Sequence, residues 1–352
     1  MKILFVKTHS IGDVLLSSGS MRSVMDFFPE ADFYCLTSKK CSPVLAGLDD
    51  NLKILPLRKN RIGYFNLVLS YLSLLKEYGL NYFDEAYVYN PNVFIVLFTW
   101  LLSRKTFSLQ KKNLILNHLL KTLGIRTADL IKRGKYILDT YNSVSELNSI
   151  RSKYKIPYIN RERYQEFHNR RLNFIKGRSY LAFFPGGGVN IREKNTYKRL
   201  GSEQAVNLAR ELYKKGIDNL IMGGDGSDDI FSETEKNVLT SDCKCILIMG
   251  LTDIHDLIMF IKSSSAVITT DSLPLHIAVS LGKPTVALFG PSDEKSLLPA
   301  NSRSVFVLRG SAECSPCYAN ETFPGCKNEG ICMKMIDLNK VVELVQKIYP
   351  NN

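Results

Sequence analysis

Residues 267–292 read VITTDSLPLHIAVSLGKPTVALFGPS. The apolar run Val267 to Thr270 is a strand that ends in the polar pair Asp271-Ser272. A helix carrying His276 follows, with Pro274 where a first helical turn accepts proline. A second apolar strand then closes on Gly290-Pro291. Strand, helix and strand in so short a span make a parallel crossover unit, and hence an α/β sheet. The turn between strand and helix suits an anion. A helix N-terminus presents free N–H groups and a partial positive charge, and Asp271, Ser272 and His276 beside it can fix a sugar or phosphate.

The chain opens on a matching device. MKILFVKTHSIGDVLLSS, residues 1–18, is a buried-type strand, a short polar loop with Gly12, and a helix beginning near Asp13. Elsewhere in the first half, strands are expected near 32–36, 53–56 and 85–89, with helices near 63–78, 92–103 and 140–153. In the second half, strands near 180–184, 218–222, 245–249, 266–269, 284–288 and 304–308 alternate with helices near 201–215, 228–239, 253–263 and 274–281. At 352 residues the chain exceeds one ordinary domain. Two Rossmann-like α/β domains with parallel sheets are therefore expected, each with one strand-loop-helix device.

Lys7, Gly12 and Asp13 stand after the first strand as K-x-x-x-x-G-D. Asp271, Ser272, His276, Ala278, Pro284, Phe289, Gly290 and Pro291 fall in the order D-S/T-G-x-x-H-x-A-x-x-x-x-x-P-x-x-x-x-F-G-P-T, with Leu273 in place of the glycine and Ser292 in place of the threonine. FFPGGGVN at 183–190, Lys198-Arg199 and IMGGDGSDD at 221–229 lie between them. In these residues the chain resembles the heptosyltransferase-type glycosyltransferases, family nine, which have the two-domain GT-B fold. The resemblance covers almost the whole chain, most clearly 1–30 and 180–335. It implies an acceptor-binding domain over 1–175, a sugar-nucleotide domain over 176–335 facing it across a cleft, and a closing helix within 336–352 that packs back on the first domain.

The resemblance also implies roles. Asp13 would be the general base that takes a proton from the acceptor hydroxyl; taken alone, an aspartate there is a favourable helix-start charge. Lys7 and His9 in the same loop, with Arg58 and Arg61, are the acceptor-binding candidates. A single displacement inverts the anomeric centre and needs one base, unlike the two-carboxylate scheme of retaining hydrolases. The leaving nucleoside diphosphate must be stabilised, and no D-x-D motif for a divalent ion occurs in the sequence. That stabilisation then falls to helix N-terminal amides, hydroxyls and a cation, with no cofactor for catalysis. The donor-binding candidates are Gly187, Lys198, Asp271, Ser272 and His276 towards the phosphates, Asp225 towards the ribose, and Leu251 and Thr252 beside the base. Structural readings stand next to these: a strand-to-helix turn for Gly187, a solvated lysine for Lys198, a helix cap for Asp225. A glycine at 273 would permit a positive φ or close approach of backbone to diphosphate, and a leucine makes both harder.

The sequence carries a net charge of +12, concentrated in its first half. Such an excess attracts polyanions, including anionic lipid and phosphorylated glycolipid. Nucleic acid is not favoured, because no helix-turn-helix, RNP or zinc-finger spacing accompanies the charge. The longest apolar run, residues 92–102, is too short to span a bilayer, and no export signal opens the chain. A cytoplasmic protein without a transmembrane segment is expected, peripheral to the inner membrane where it meets an anionic glycolipid acceptor.

Four of the eight cysteines form C-x2-C-x8-C-x5-C: Cys314, Cys317, Cys326 and Cys332. Without an export signal, such a group reads as a tetrathiolate zinc or iron site more readily than as disulfides, and its role would be structural. The resemblance adds that some protein-modifying heptosyltransferases bind iron in this region. The reading is an inverting, metal-independent transfer of a sugar, heptose from an ADP-heptose-like donor, to a lipopolysaccharide-type acceptor. Two alternatives stay open: O-heptosylation of serines on a surface protein, and a non-catalytic sugar-nucleotide or glycan-binding protein.

Overall fold

The computed structural model describes residues 1–8, 10–57, 64–110, 113–130, 135–187, 197–300, 302–318 and 325–349. Its contacts divide into two units, Met1–Asn160 and Arg161–Asn352.

The first unit is built on one parallel sheet of β1 (Lys2–Val6), β2 (Asp32–Ser38), β3 (Lys53–Leu57), β4 (Phe83–Val88), β5 (Ser103–Gln110) and β6 (Arg126–Asp129), in the order β3-β2-β1-β4-β5-β6. β1 is central and nearly all apolar because helices cover both faces of the sheet. Side chains alternate along a strand, so Leu4 and Val6 enter one core with residues of helices Tyr64–Tyr78, Val93–Leu102 and Leu114–Thr122. Ile3 and Phe5 point to the other face, where helices Ile11–Phe27 and Ile137–Glu146 pack against each other. Asn92 starts the Val93–Leu102 helix by accepting from Phe94 N at 3.0 Å. That helix ends where β5 begins, at Ser103, with no loop between them. β5 and β6 are absent from the sequence expectation, and the last helix closes at Glu146, short of the expected 153.

The second unit repeats the plan. β7 (Leu181–Phe184), β8 (Leu220–Met222), β9 (Ile246–Leu247), β10 (Ala266–Thr270), β11 (Thr285–Phe289) and β12 (Val305–Arg309) form a parallel sheet in the order β12-β11-β10-β7-β8-β9. Counted from β7, this is the order of the first sheet. Each sheet therefore reverses its winding between its first and fourth strands, at β1/β4 and at β7/β10. In open α/β sheets, ligands are received outside the carboxyl ends of the strands at such a switch point.

Two expectations about boundaries change. The charge-dense stretch after Asn160 packs with the second unit, not with the first as far as residue 175. Lys262 Nζ donates to the carbonyls of Arg161 at 2.9 Å and Tyr164 at 2.7 Å, and the buried Asp256 carboxylate accepts from His168 N at 2.7 Å. The closing helix, Leu338–Ile348, was expected to return to the first domain. Its apolar face is instead built into the core of the second unit, because Val341, Val342, Val345 and Tyr349 sit there with the Ser202–Lys214 helix and the central strands. Among the described residues, no helix is long and apolar enough to cross a membrane.

Candidate functional site

At the first unit's switch point Tyr89 N donates to Val6 O at 2.9 Å, and Thr8 N, just past β1, donates to Oδ1 of the buried Asn90, just past β4, at 2.9 Å. Lys7 next to it is 3% exposed. A lysine is buried that far only with partners. Its Nζ donates to the Tyr141 phenol at 3.0 Å, lies 4.8 Å above that ring, and stands 3.7 Å from Oδ2 of Asp13. Asp13 is in the first turn of the Ile11–Phe27 helix, with its side chain 38% exposed. Ser10 holds the N-cap position at φ 68°, and no side chain caps the helix. The carboxylate is thus anchored from behind by a buried cation and open to solvent in front. Lys7 and Asp13, both singled out in the sequence, are brought together here. His9, Arg58 and Arg61 lie outside the described residues.

In the second unit the switch point joins β10 to the glycine turn after β7, the Thr270 hydroxyl donating to the Gly186 carbonyl. Lys198 Nζ donates to Oδ2 of Asp271 at 2.6 Å. Burial alone would raise the Asp271 pKa, but the charges of Lys198 and His276 outweigh it and hold the carboxyl below its ordinary value. Lys198 is therefore not a solvated lysine: its side chain is 23% exposed and lies 5.1 Å from the Tyr318 ring centre. The glycine turn is shaped by close approach. A Cβ on Gly187 would come within 3.0 Å of Lys198 Cβ, and one on Gly186 within 2.1 Å of the Asp228 carboxyl carbon.

Helix Leu273–Leu281 starts directly after Asp271-Ser272, and Ser272 is in an extended conformation, φ −154° and ψ 179°. Leu273 is not among the described positive-φ residues. Pro274 in the first turn fixes the start, so this backbone has no conformational need for the missing glycine. His276 is buried one turn into the helix.

Asp225 follows β8 and is exposed, and its Oδ1 accepts from Ser227 N at 2.7 Å. It caps its own turn, as the structural reading had it. Leu251 and Thr252 follow β9, in a loop held by Asn169 Nδ2 on the Leu251 carbonyl at 2.9 Å. The loops after β8 and β9 meet where Gly250 N donates to Gly224 O at 3.0 Å. Strand order β10-β7-β8-β9 thus strings Asp271, Gly187 with Lys198, Asp225, and Leu251-Thr252 along one sheet edge. Three strand spacings give this row a span of roughly 14 Å.

Sequence reading missed Tyr141 and Asn90, which support Lys7 and its loop, and Asn169, which holds the Leu251 loop. It also passed over Asp228, buried beneath Gly186 and 3.5 Å from Arg199. None carries a local signal: Tyr141 is 134 residues from the lysine it contacts.

The cysteine group is not set out as a metal centre. None of the four forms a disulfide. Burial raises the Cys332 thiol, and the neighbouring Cys317, Cys314 and Cys326 raise it further, so the four are near one another. Yet among the described residues no three His, Cys, Asp or Glu side chains are placed to hold one ion. The arrangement does not fit the expected tetrathiolate site.

The comparisons with known proteins agree with this geometry. The profile of glycosyltransferase family 9 (heptosyltransferase) matches residues 139–327. Lipooligosaccharide heptosyltransferase 2 of Haemophilus ducreyi is 24% identical over 324 residues, 87% of this chain and 88% of that protein. Among solved structures, a family 9 glycosyl transferase from Veillonella parvula superposes with a TM-score of 0.73 at 18% identity, over 99% of this chain and 97% of that one. The ADP-heptose lps heptosyltransferase II of E. coli gives 0.71 at 19% identity, over 99% and 98%. Both share the fold of two parallel α/β sheets. With more than half its length matched by that profile, the chain belongs to glycosyltransferase family 9.

Proposed function

We propose that the protein transfers heptose from ADP-heptose to a lipopolysaccharide-type acceptor, with inversion and without a metal ion. The Lys198–Asp271 pair at the second switch point carries the reading. It places a held cation beside a helix N-terminus and a glycine turn, which is what a departing diphosphate requires. Names of relatives such as lipooligosaccharide heptosyltransferase 2 support the choice of sugar and acceptor.

In this reading the second unit holds the donor along its sheet edge. Diphosphate lies at Gly187, Lys198 and the start of the Leu273–Leu281 helix, ribose at Asp225, and base by Leu251 and Thr252. Asp271 orients Lys198 and does not itself meet the phosphates, where its charge would repel them. Asp13 of the first unit takes the proton from an acceptor hydroxyl as that oxygen bonds to the anomeric carbon. The bond from that carbon to the diphosphate oxygen breaks, its electron pair leaves with ADP, and attack from the opposite face inverts the centre. Lys7, anchored on Tyr141, keeps Asp13 oriented. The acceptor is a glycolipid at the inner membrane surface, and the enzyme works there from the cytoplasm.

The test is direct. Purified protein is incubated with ADP-heptose and a deacylated lipopolysaccharide core, following ADP release and the gain of one heptose by mass spectrometry. Donor binding without transfer to any core acceptor would return the protein to the binding class, and transfer to protein serines alone would move it to the protein-modifying one.

A further inference from the structure

One face of the first unit remains apolar after folding. Helices Tyr64–Tyr78, Val93–Leu102 and Leu114–Thr122 lie side by side on the sheet, their inner side chains in one core. On their outer side Ile115 is 85% exposed, Leu119 52%, Leu72 52%, Phe94 51% and Leu69 41%. Ile115 and Leu119 are four residues apart and share one stripe of a helix whose opposite stripe, with Leu120, is in the core. Isolated exposed leucines need no explanation, but five large apolar side chains on one helical layer do.

The three helices of the layer carry Lys76, Glu77 and Lys121, and the unit that bears them is strongly basic. The first unit, residues 1–160, contains 22 Lys and Arg against 12 Asp and Glu, so +10 of the net +12 belongs to it. From Arg104 to Lys155 the sequence has 12 basic residues and three acidic ones. The Val93–Leu102 helix has no charged residue, and the Leu114–Thr122 helix has only Lys121. Apolar side chains on a short surface helix, within a basic unit, fit the interface of an anionic bilayer: the chains enter the headgroup boundary and the cations meet the lipid phosphates. A second copy of this chain would oppose the same positive charge to itself.

We propose that this three-helix layer docks the enzyme on anionic lipid, with Ile115 and Leu119 as its inserted side chains. The proposal rests on the membrane-borne acceptor read above. The test uses co-sedimentation with vesicles of phosphatidylglycerol and phosphatidylethanolamine, against phosphatidylcholine alone. Wild-type protein should bind the first in a salt-sensitive way and the second weakly. The Ile115→Ser/Leu119→Ser variant should partition about tenfold less, because two apolar side chains no longer enter the interface. Lys121→Glu, which leaves the apolar stripe intact, should weaken only the anionic arm. Melting curves confirm that the variants fold, and turnover on a water-soluble deacylated core should match wild type. Vesicle binding unchanged in the double variant, or equal on phosphatidylcholine, overturns the proposal. So does a dimer that the double variant dissolves, which would assign the face to a second copy. Absence of turnover with every acceptor would remove the heptosyltransferase reading and leave the vesicle result to decide the docking face.

Discussion

Replacing Lys198 by Met keeps the length and apolar stem of the side chain and deletes its charge. What remains is the Asp271 carboxylate, only 5% exposed, with its closest cation gone. Breaking a buried pair by removing one partner typically costs 3–5 kcal/mol. Lys198 is 23% exposed and His276 still faces the carboxylate, so the low end applies, about 3 kcal/mol. For a domain of this size each kcal/mol shifts the melting temperature by about 2–4 °C, giving a fall of roughly 6–12 °C. The pH dependence gives a second readout. Asp271 titrates lower in the folded chain than unfolded, so its contribution is complete above about pH 4 and is lost as the pH falls through the lowered folded value. In Lys198→Met that contribution is absent, and the gap to wild type should close as the solution is acidified. The double variant Lys198→Met/Asp271→Asn should recover most of the loss at neutral pH, since no unpaired buried charge remains. Thermal melts by circular dichroism across pH test this. A single variant that melts like wild type with a parallel pH profile would refute the claim that the pair is a held, buried one.

Asp13→Asn should lower turnover about 100-fold or more while leaving ADP-heptose affinity nearly unchanged, measured by initial rates and calorimetry; near-normal turnover would reduce Asp13 to a helix-start charge. Gly186→Ala forces a methyl against the Asp228 carboxyl, and should cost about 1–3 kcal/mol in chemical denaturation, an unchanged midpoint refuting the close approach. Excess EDTA should leave initial rates intact if, as proposed, Lys198 and helix amides take the part that a divalent ion plays in a D-x-D enzyme; loss of activity restored by magnesium would overturn this account. Elemental analysis of protein purified under reducing conditions should find less than one equivalent of zinc or iron, and a full equivalent lost in Cys314→Ser would establish the metal centre that this cysteine arrangement does not fit.

The sequence by itself determined both ends of the argument. Runs such as ILFV and AVI are apolar on every side chain, as strands buried on both faces are, and together with the alternation of strand and helix they made every strand of the second sheet and the first four of the first legible. β5 was not, because its start, Ser-Arg-Lys-Thr, is polar, with Arg104 and Lys105 exposed, and follows a helix without a turn residue to mark the change. The motif residues Lys7, Asp13, Lys198 and Asp271 were legible as candidates, but not their pairing. Lys198 and Asp271 are 73 residues apart, and what joins them is the position of β7 beside β10, a consequence of winding order. The same holds for Tyr141 under Lys7. Spacing also could not place the closing helix: its apolar stripe has to be buried, and periodicity cannot say against which sheet. Tertiary structure decided that, as it decided the cysteines, whose spacing suits a metal ion while their side chains do not converge on one. Local pattern fixes which face of an element is buried; only the packing of distant elements fixes what it is buried against.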